Sequence, residues 1–113
     1  MDPLLRARES ARAQVAALHA VREEIVRASE GSNADDEHDP EGATIAFERQ
    51  QVAAMLAQAA ASVAAADEAL ARRAAGTYGV CVGCGGDIGA ARLDARPSAR
   101  TCIDCARGSS GAG

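Results

Sequence analysis

The arrangement of four cysteines constrains this chain of 113 residues more than any other feature of its sequence. The cysteines form two pairs, and two residues separate the members of each pair. Seventeen residues separate the pairs, which are Cys81 with Cys84 and Cys102 with Cys105. Each pair spans one tight turn, so its two sulfurs can occupy adjacent corners of a tetrahedron. The spacing is typical of a four-cysteine zinc module and predicts one zinc ion.

The predicted zinc is structural, because four protein ligands leave no coordination position for water or substrate. Gly85 directly follows Cys84, where the absence of a Cβ lets the backbone turn its N–H groups towards sulfur. A thioredoxin-like redox pair would need a βαβ context, which the sequence lacks. An iron–sulfur cluster could also use four thiolates, and two disulfides would require an exported protein. A thiol switch that ejects zinc stays open as an alternative.

Two long helices are predicted before the cysteines. Asp2-Pro3 and Asp39-Pro40 each place an Asp at the N-cap and a Pro at the first helical position, and Gly31 and Gly76 supply the helix ends. In the first helix a narrow seam is formed by Leu4, Ala11, Leu18 and Ile25, with Val15 and Val21 beside it. In the second, the seam contains Ile45, Arg49, Val52, Leu56, Ala59, Val63, Ala66 and Leu70. Such seams are typical of coiled coils.

The predicted fold class is therefore mainly α: a long antiparallel helical hairpin, or coiled coil, followed by a small four-cysteine zinc finger. About a quarter of the residues are Ala, which favours helix but buries too little surface for a large core. The predicted hairpin covers residues 1–76, with a tip at about 32–42, and the finger covers 77–106. Because Gly and Ser dominate residues 107–113, a disordered tail is predicted there. The hairpin would be about 40–50 Å long, which separates the tip from the cysteines.

Negative charge is concentrated at the predicted tip. The formal net charge is −4, which gives no general reason to expect nucleic-acid binding. Between residues 30 and 41 there are six carboxylates and no Lys or Arg: Glu30, Asp35, Asp36, Glu37, Asp39 and Glu41. The remainder carries 12 basic residues against 16 − 6 = 10 acidic ones, a charge of about +2. The acidic cluster indicates a protein partner or a cation, and a solvated loop is the alternative.

A cytoplasmic location is predicted, without membrane association. No apolar run of a signal peptide follows Met1. The uncharged stretch 50–66 is shorter than the roughly 20 residues that span a bilayer, and it contains Gln and Ser. In the cytoplasm thiols stay reduced, so grouped cysteines bind metal more often than they form disulfides.

Further motifs surround the cysteines. They read Tyr78-Gly79-x-Cys81-x-x-Cys84-Gly85-x-x-Ile88, Arg92-Leu93-x-Ala95-x-Pro97 and Cys102-Ile103-x-Cys105. Together with the preceding hairpin, they resemble the TraR/DksA family of bacterial zinc-finger transcription regulators. The resemblance covers nearly the whole chain and implies a DksA-like RNA polymerase-binding protein.

The resemblance implies a mode of action. Members of this family bind RNA polymerase itself rather than DNA, and they insert the coiled-coil tip into the secondary channel towards the active-site magnesium. The effector residues implied here are Asp35, Asp36, Glu37, Asp39 and Glu41. Guanosine tetraphosphate often acts with such proteins, and Arg96 matches a residue that helps to hold it. Arg96 is therefore predicted to contact nucleotide or polymerase.

The chain also departs from the family pattern. The best-known tip reads Asp-Pro-x-Asp-x-Ala, but Gly42 replaces its second Asp and Thr44 its Ala. Ala106 stands where a second nucleotide-binding residue is basic. The C-terminal helix that usually follows the finger is predicted to be missing. Neither the direction of regulation nor a response to guanosine tetraphosphate is therefore predicted.

No enzymatic activity is predicted, because the sequence offers no defensible catalytic triad, Cys-His pair or carboxylate pair. Two other classes of function stay open. A zinc ribbon could bind nucleic acid directly, although Tyr78 and Phe47 are the only Phe, Tyr or Trp residues available for base stacking. A structural adaptor, or a zinc-dependent redox sensor, could use the hairpin as a docking rod for other proteins.

Overall fold

The structure, a computed structural model, describes residues 2–31 and 40–111, which are predominantly helical. Helix α1 covers Pro3–Gly31 and α2 covers Pro40–Ala74. Two short helices follow, α3 over Ala90–Ala95 and α4 over Ile103–Gly111. The described ranges contain no β-strand, only an isolated antiparallel bridge between Val80 and Asp87. The predicted fold class, a mainly α hairpin followed by a four-cysteine finger, is confirmed.

The side chain of Asp2 caps the start of α1. Its Oδ1 accepts hydrogen bonds from the backbone N–H groups of Leu4 at 2.8 Å and Leu5 at 3.4 Å. These N–H groups lie in the first helical turn and have no carbonyl partner inside the helix. The prediction of an Asp N-cap before Pro3 is confirmed.

The end of α2 is a Schellman motif. Gly76 has a φ of 81°, and its N–H donates to the Arg73 carbonyl at 3.1 Å. The Thr77 N–H reaches back to the Arg72 carbonyl at 2.9 Å. Both bonds satisfy carbonyls that the helix leaves open, and the left-handed backbone between them favours glycine. The prediction that Gly76 follows the helix is confirmed.

One compact unit comprises Ser10–Ser62 and contains parts of both long helices. Its most buried apolar residues are Ala11 and Leu18 in α1 and Val52 and Ala59 in α2. All four belong to the predicted seams. Ala11 and Leu18 are seven residues apart, as are Val52 and Ala59, so the members of each pair lie on nearly the same side of their helix. In contrast, Val21 is 41% exposed and lies outside the core.

The other compact unit comprises Met1–Glu9 together with Val63–Gly113. Its core contains Leu4, Ala66, Ala69, Cys81 and Ile88, so both helix ends share one apolar core with the finger. This division differs from the predicted boundary at residues 76 and 77. Because few large apolar residues lie inside the finger, its core is completed by the helices.

Ion pairs define the direction of α1 and α2 within this second unit. The Arg73 guanidinium pairs with the Asp2 carboxylate, and the Arg8 guanidinium lies 3.5 Å from the Asp67 carboxylate. Arg8 follows Asp2 by six residues, whereas its partner Asp67 precedes Arg73 by six residues in α2. The two helix ends are antiparallel, as the prediction of a hairpin requires.

The predicted absence of a helix after the finger, and the disordered tail over 107–113, differ from the structure. Helix α4 begins at Ile103 and includes residues up to Gly111, while residues 112–113 lie outside the described part. The Ala106 N–H donates to the Cys102 carbonyl at 3.0 Å, so the second cysteine pair already forms a helical turn. Asp104 in that turn is favourably placed beside the positive end of the helix dipole.

No helix in the described part of the chain is both long and apolar enough to cross a bilayer.

Candidate metal centre

The four cysteine sulfurs lie together in the structure. Each Sγ is within 4.8 Å of the other three, and the Cys84 and Cys102 sulfurs are 3.9 Å apart. Sulfurs at 2.3 Å from a tetrahedral zinc ion would be about 3.8 Å apart. Cys81 is buried, Cys102 and Cys105 are half-buried, and Cys84 is exposed. The cluster therefore has the ligand number, the ligand type and nearly the spacing of a structural zinc site.

A tight turn positions the first cysteine pair. The Gly85 N–H donates to the Cys81 carbonyl at 2.9 Å, and the Cys81 N–H donates to the Gly86 carbonyl at 2.7 Å. Gly85 has a φ of 75°, which a residue with a Cβ adopts only at a cost. The prediction that a glycine is needed directly after Cys84 agrees with this geometry.

Backbone N–H groups point at the sulfurs. Cys81 Sγ accepts from the Cys102 N–H at 3.3 Å and from the Gly83 N–H at 3.4 Å. Cys102 Sγ accepts from the Cys105 N–H at 3.5 Å. Such bonds stabilise thiolate over thiol, because the partial positive charge of each N–H faces the negative sulfur. The finger is thus arranged for anionic sulfur, the form in which cysteine binds metal.

The pKa values of the free thiols differ within the cluster. The Cys102 N–H, followed by those of Cys84 and Gly83, lowers the pKa of Cys81 to about 6, although burial acts in the opposite direction. Hydrogen bonding to the Cys81 sulfur, and then to Cys102 and Cys84, raises the pKa of Cys105 to about 12. Four thiolates this close repel one another unless a cation lies between them. Zinc supplies that charge and must displace the remaining protons as it binds.

Gly83 is a close-approach position that the sequence did not reveal. A Cβ at this residue would lie 3.1 Å from Cys105 Sγ and 3.6 Å from Cys81 Sγ. The contact joins the two cysteine pairs, which are distant in sequence. The need for a glycine between Cys81 and Cys84 therefore becomes visible only in the folded site, where Cys105 lies against Gly83.

Comparison with known proteins agrees with this geometry. Residues 76–111 match the prokaryotic dksA/traR C4-type zinc finger. No curated protein matches the chain. Among solved structures, the transcription factor DksA2 from Pseudomonas aeruginosa is similar, with a TM-score of 0.77 and 27% sequence identity. The similarity covers 96% of this chain and 78% of that one.

Residues 76–111 form a zinc finger of the dksA/traR C4 type. Its four cysteines hold one structural zinc ion, as the spacing of the two pairs predicted. With all four positions filled by sulfur, the ion crosslinks the two turns and offers no site for substrate.

Ionic contacts attach the DksA-like finger to the last turns of α2. Glu68 Oε1 accepts from Arg72 Nη1 at 2.8 Å and lies 2.7 Å from Arg100 Nε. Arg72 Nη2 also donates to the Ala99 carbonyl at 3.2 Å. The Arg72 side chain is only 12% exposed, so its contacts are partly shielded from water. One helix carboxylate therefore links the loop before the second cysteine pair to the α2 helix.

Two more contacts organise the segment between the cysteine pairs. The Tyr78 hydroxyl donates to the Pro97 carbonyl at 2.9 Å, and Arg92 Nε donates to the Thr101 carbonyl at 2.8 Å. Tyr78, Pro97 and Arg92 belong to the family motifs, and Thr101 directly precedes the second cysteine pair. The three arginines of the finger have different surroundings. Arg92 and Arg100 make the contacts given above, whereas Arg96 is exposed and its guanidinium forms no ion pair with another described residue.

The acidic tip of this chain falls largely outside the described residues. This applies to Asp35, Asp36, Glu37 and Asp39. Glu41 lies in the first turn of α2, but its side chain is outside the described part. The roles of these residues and of Arg96 stay predictions.

Proposed function

We propose that this chain regulates transcription by binding RNA polymerase directly. The observation that carries the proposal is the similarity to the transcription factor DksA2, which extends over 96% of the chain and includes the helices as well as the finger. A shared zinc finger alone would fit many functions. The helices are the part that a polymerase-binding regulator of this family would insert.

The proposed mechanism inserts the acidic tip into the secondary channel and modulates initiation there. The tip carries several carboxylates within a few residues, and carboxylates are attracted to a divalent metal centre. The zinc finger has a structural role in this mechanism, because its four ligands close the metal site. Exposed Arg96 would contact polymerase or a nucleotide phosphate. The proposal involves no chemical step by the protein and places it in the cytoplasm.

Binding to purified core RNA polymerase from the same organism tests the proposal. The zinc-loaded protein is expected to bind, and a competitor that occupies the secondary channel should displace it. Asp39→Ala should still bind but lose its effect on initiation in a purified transcription assay. Glu9→Ala is a matched control, because Glu9 is an exposed carboxylate of α1 away from the tip.

Other outcomes of the same experiment would reject the proposal. Absence of polymerase binding at micromolar concentrations would exclude it and leave the adaptor or redox-sensor functions. Binding that the channel competitor leaves unchanged would exclude tip insertion. Direct binding to DNA or RNA that weakens steeply with salt would favour the zinc-ribbon alternative.

A further inference from the structure

A groove in the unit Ser10–Ser62 is not used by the tip or by the zinc site. It has a volume of about 750 Å³ and lies between α1 and α2. From α1 it is lined by Val15, His19 and Arg22. From α2 it is lined by Ala46, Arg49, Gln50, Ala53, Leu56, Ala57 and Ala60.

Small apolar residues form most of the α2 side of this groove. Ala46, Ala53 and Ala60 are spaced by seven residues and therefore lie nearly in line along the helix. The 14 residues from the first to the last rise by about 21 Å. Side chains this small let another helix approach at the short end of the usual 8–10 Å interaxial distance. The groove therefore has the length and shape to take one helix of about four turns.

The charge at the groove is positive only. Arg22 and Arg49 are exposed, and neither forms an ion pair with another residue in the described ranges. None of the lining residues is a carboxylate. A partner that places carboxylates beside these guanidinium groups would complement the groove, whereas a basic partner would be repelled.

We propose that this groove binds a single acidic amphipathic helix of a protein partner. The small apolar residues of the helix pack against the Ala line, and its flanking carboxylates pair with Arg22 and Arg49. A second copy of this chain fits less well, since symmetric pairing of the groove would bring two basic rims together. Nucleic acid also fits less well, because the lining has no Phe, Tyr or Trp for base stacking and only two arginines.

A designed peptide tests the proposal on the free, zinc-loaded protein, independently of polymerase. The probe is a stapled helix of about 18 residues with Ala and Leu on one face and Glu along both flanks, labelled for fluorescence anisotropy. A second peptide has Lys in place of each Glu. The Glu peptide is expected to bind and the Lys peptide is not. Arg22→Glu and Arg49→Glu should each weaken binding of the Glu peptide about tenfold.

Three variants make the experiment specific. Arg12→Glu changes an exposed α1 arginine outside the groove and should alter the affinity by less than about twofold. The double variant R22E/R49E should gain binding of the Lys peptide, which a merely misfolded protein would not. Ala53→Trp fills the groove at an exposed position and should abolish binding of the Glu peptide with helix content unchanged.

Several results would overturn the proposal. Equal affinity for both peptides would exclude recognition of acidic charge, and no binding up to about 1 mM would exclude the site. An effect of Arg12→Glu as large as that of Arg22→Glu would assign the binding to overall charge. Self-association that Ala53→Trp abolishes would assign the groove to a second copy of this chain.

Discussion

The substitution Gly83→Ala tests the zinc site at its closest contact. The new methyl carbon would lie 3.1 Å from Cys105 Sγ and 3.4 Å from Cys105 Cβ. A contact of 3.1 Å must lengthen by a few tenths of an ångström. Zinc–sulfur distances vary by only about 0.2 Å, so Cys105 cannot move away freely while it remains a ligand.

The magnitude follows from the cost of overpacking. Forcing an extra methyl group into a packed site costs about 1–3 kcal/mol. Because the metal holds both sides of this contact, the cost should appear in zinc binding. At about 1.4 kcal/mol for each factor of ten, zinc affinity should fall about 5- to 150-fold.

Substitutions at two neighbouring glycines, Gly85 and Gly86, distinguish the effect of a steric clash from that of backbone strain. At Gly86 a Cβ would meet Cys84 Sγ at 3.5 Å, an ordinary contact, so Gly86→Ala should change zinc affinity by less than about threefold. At Gly85 a Cβ would meet nothing within 4 Å, but φ is 75°. Gly85→Ala should therefore cost about 1–2 kcal/mol through strain alone.

Zinc affinity can be measured by competition with a chromophoric chelator of known affinity at fixed pH. The expected order of affinity is wild type and Gly86→Ala first, with both Gly83→Ala and Gly85→Ala weaker. Wild-type affinity in Gly83→Ala would refute the packing argument. Equal loss in Gly83→Ala and Gly86→Ala would show that the contact with Cys105 is not what limits the site.

Three further predictions concern zinc removal, the ion pairs of Glu68 and the charge of Asp2. Zinc removal by chelator should unfold the finger, because its own apolar residues are few; amide dispersion of residues 78–105 in NMR spectra should collapse, and unchanged dispersion would contradict this. Glu68→Gln should lower the free energy of unfolding by about 1–2 kcal/mol, because the side chain that contacts Arg72 and Arg100 would lose its negative charge. Asp67→Asn, with one partner at 3.5 Å, should cost less than about 0.5 kcal/mol, and equal effects would refute the special role of Glu68. Burial acts to raise the pKa of Asp2, but hydrogen bonds from Leu4 and Arg73 and the Arg73 charge lower it below 3.8 overall. The stabilisation by its charge should thus be present above pH 3.8 and disappear as the pH falls through the lowered pKa; Asp2→Asn, which can still cap the helix, should lack this pH dependence in thermal melts.

Much of the helical architecture could be predicted, because its determinants are local or periodic. The start of α1 requires only an N-cap Asp followed by Pro, and the end of α2 requires a glycine that accepts positive φ. The seam residues Leu4, Leu18 and Val52 follow from seven-residue spacing. The cysteine cluster was equally predictable, since two closely spaced pairs suffice to define a tetrahedral ligand set.

The attachment of the finger could not be predicted, since it depends on contacts between distant residues. Glu68 and Arg100 are 32 residues apart, and neither belongs to a recognisable motif. Helix α4 was missed because Gly108 and the adjacent serines are weak helix formers. In the structure, the first turn of α4 is formed at Cys102, where the Ala106 N–H donates to the Cys102 carbonyl. The helix propensity of residues 107–111 therefore does not decide where α4 begins.

The proposed insertion of the tip can be tested most directly by site-specific photocrosslinking. Ala43 is exposed in the first turns of α2, next to the acidic segment, and can carry a photoreactive side chain. In the complex with core RNA polymerase, this position should crosslink to polymerase segments that line the secondary channel near the catalytic magnesium, and a channel competitor should remove the product. Crosslinks confined to the outer surface of polymerase, or to promoter DNA, would contradict insertion of the tip.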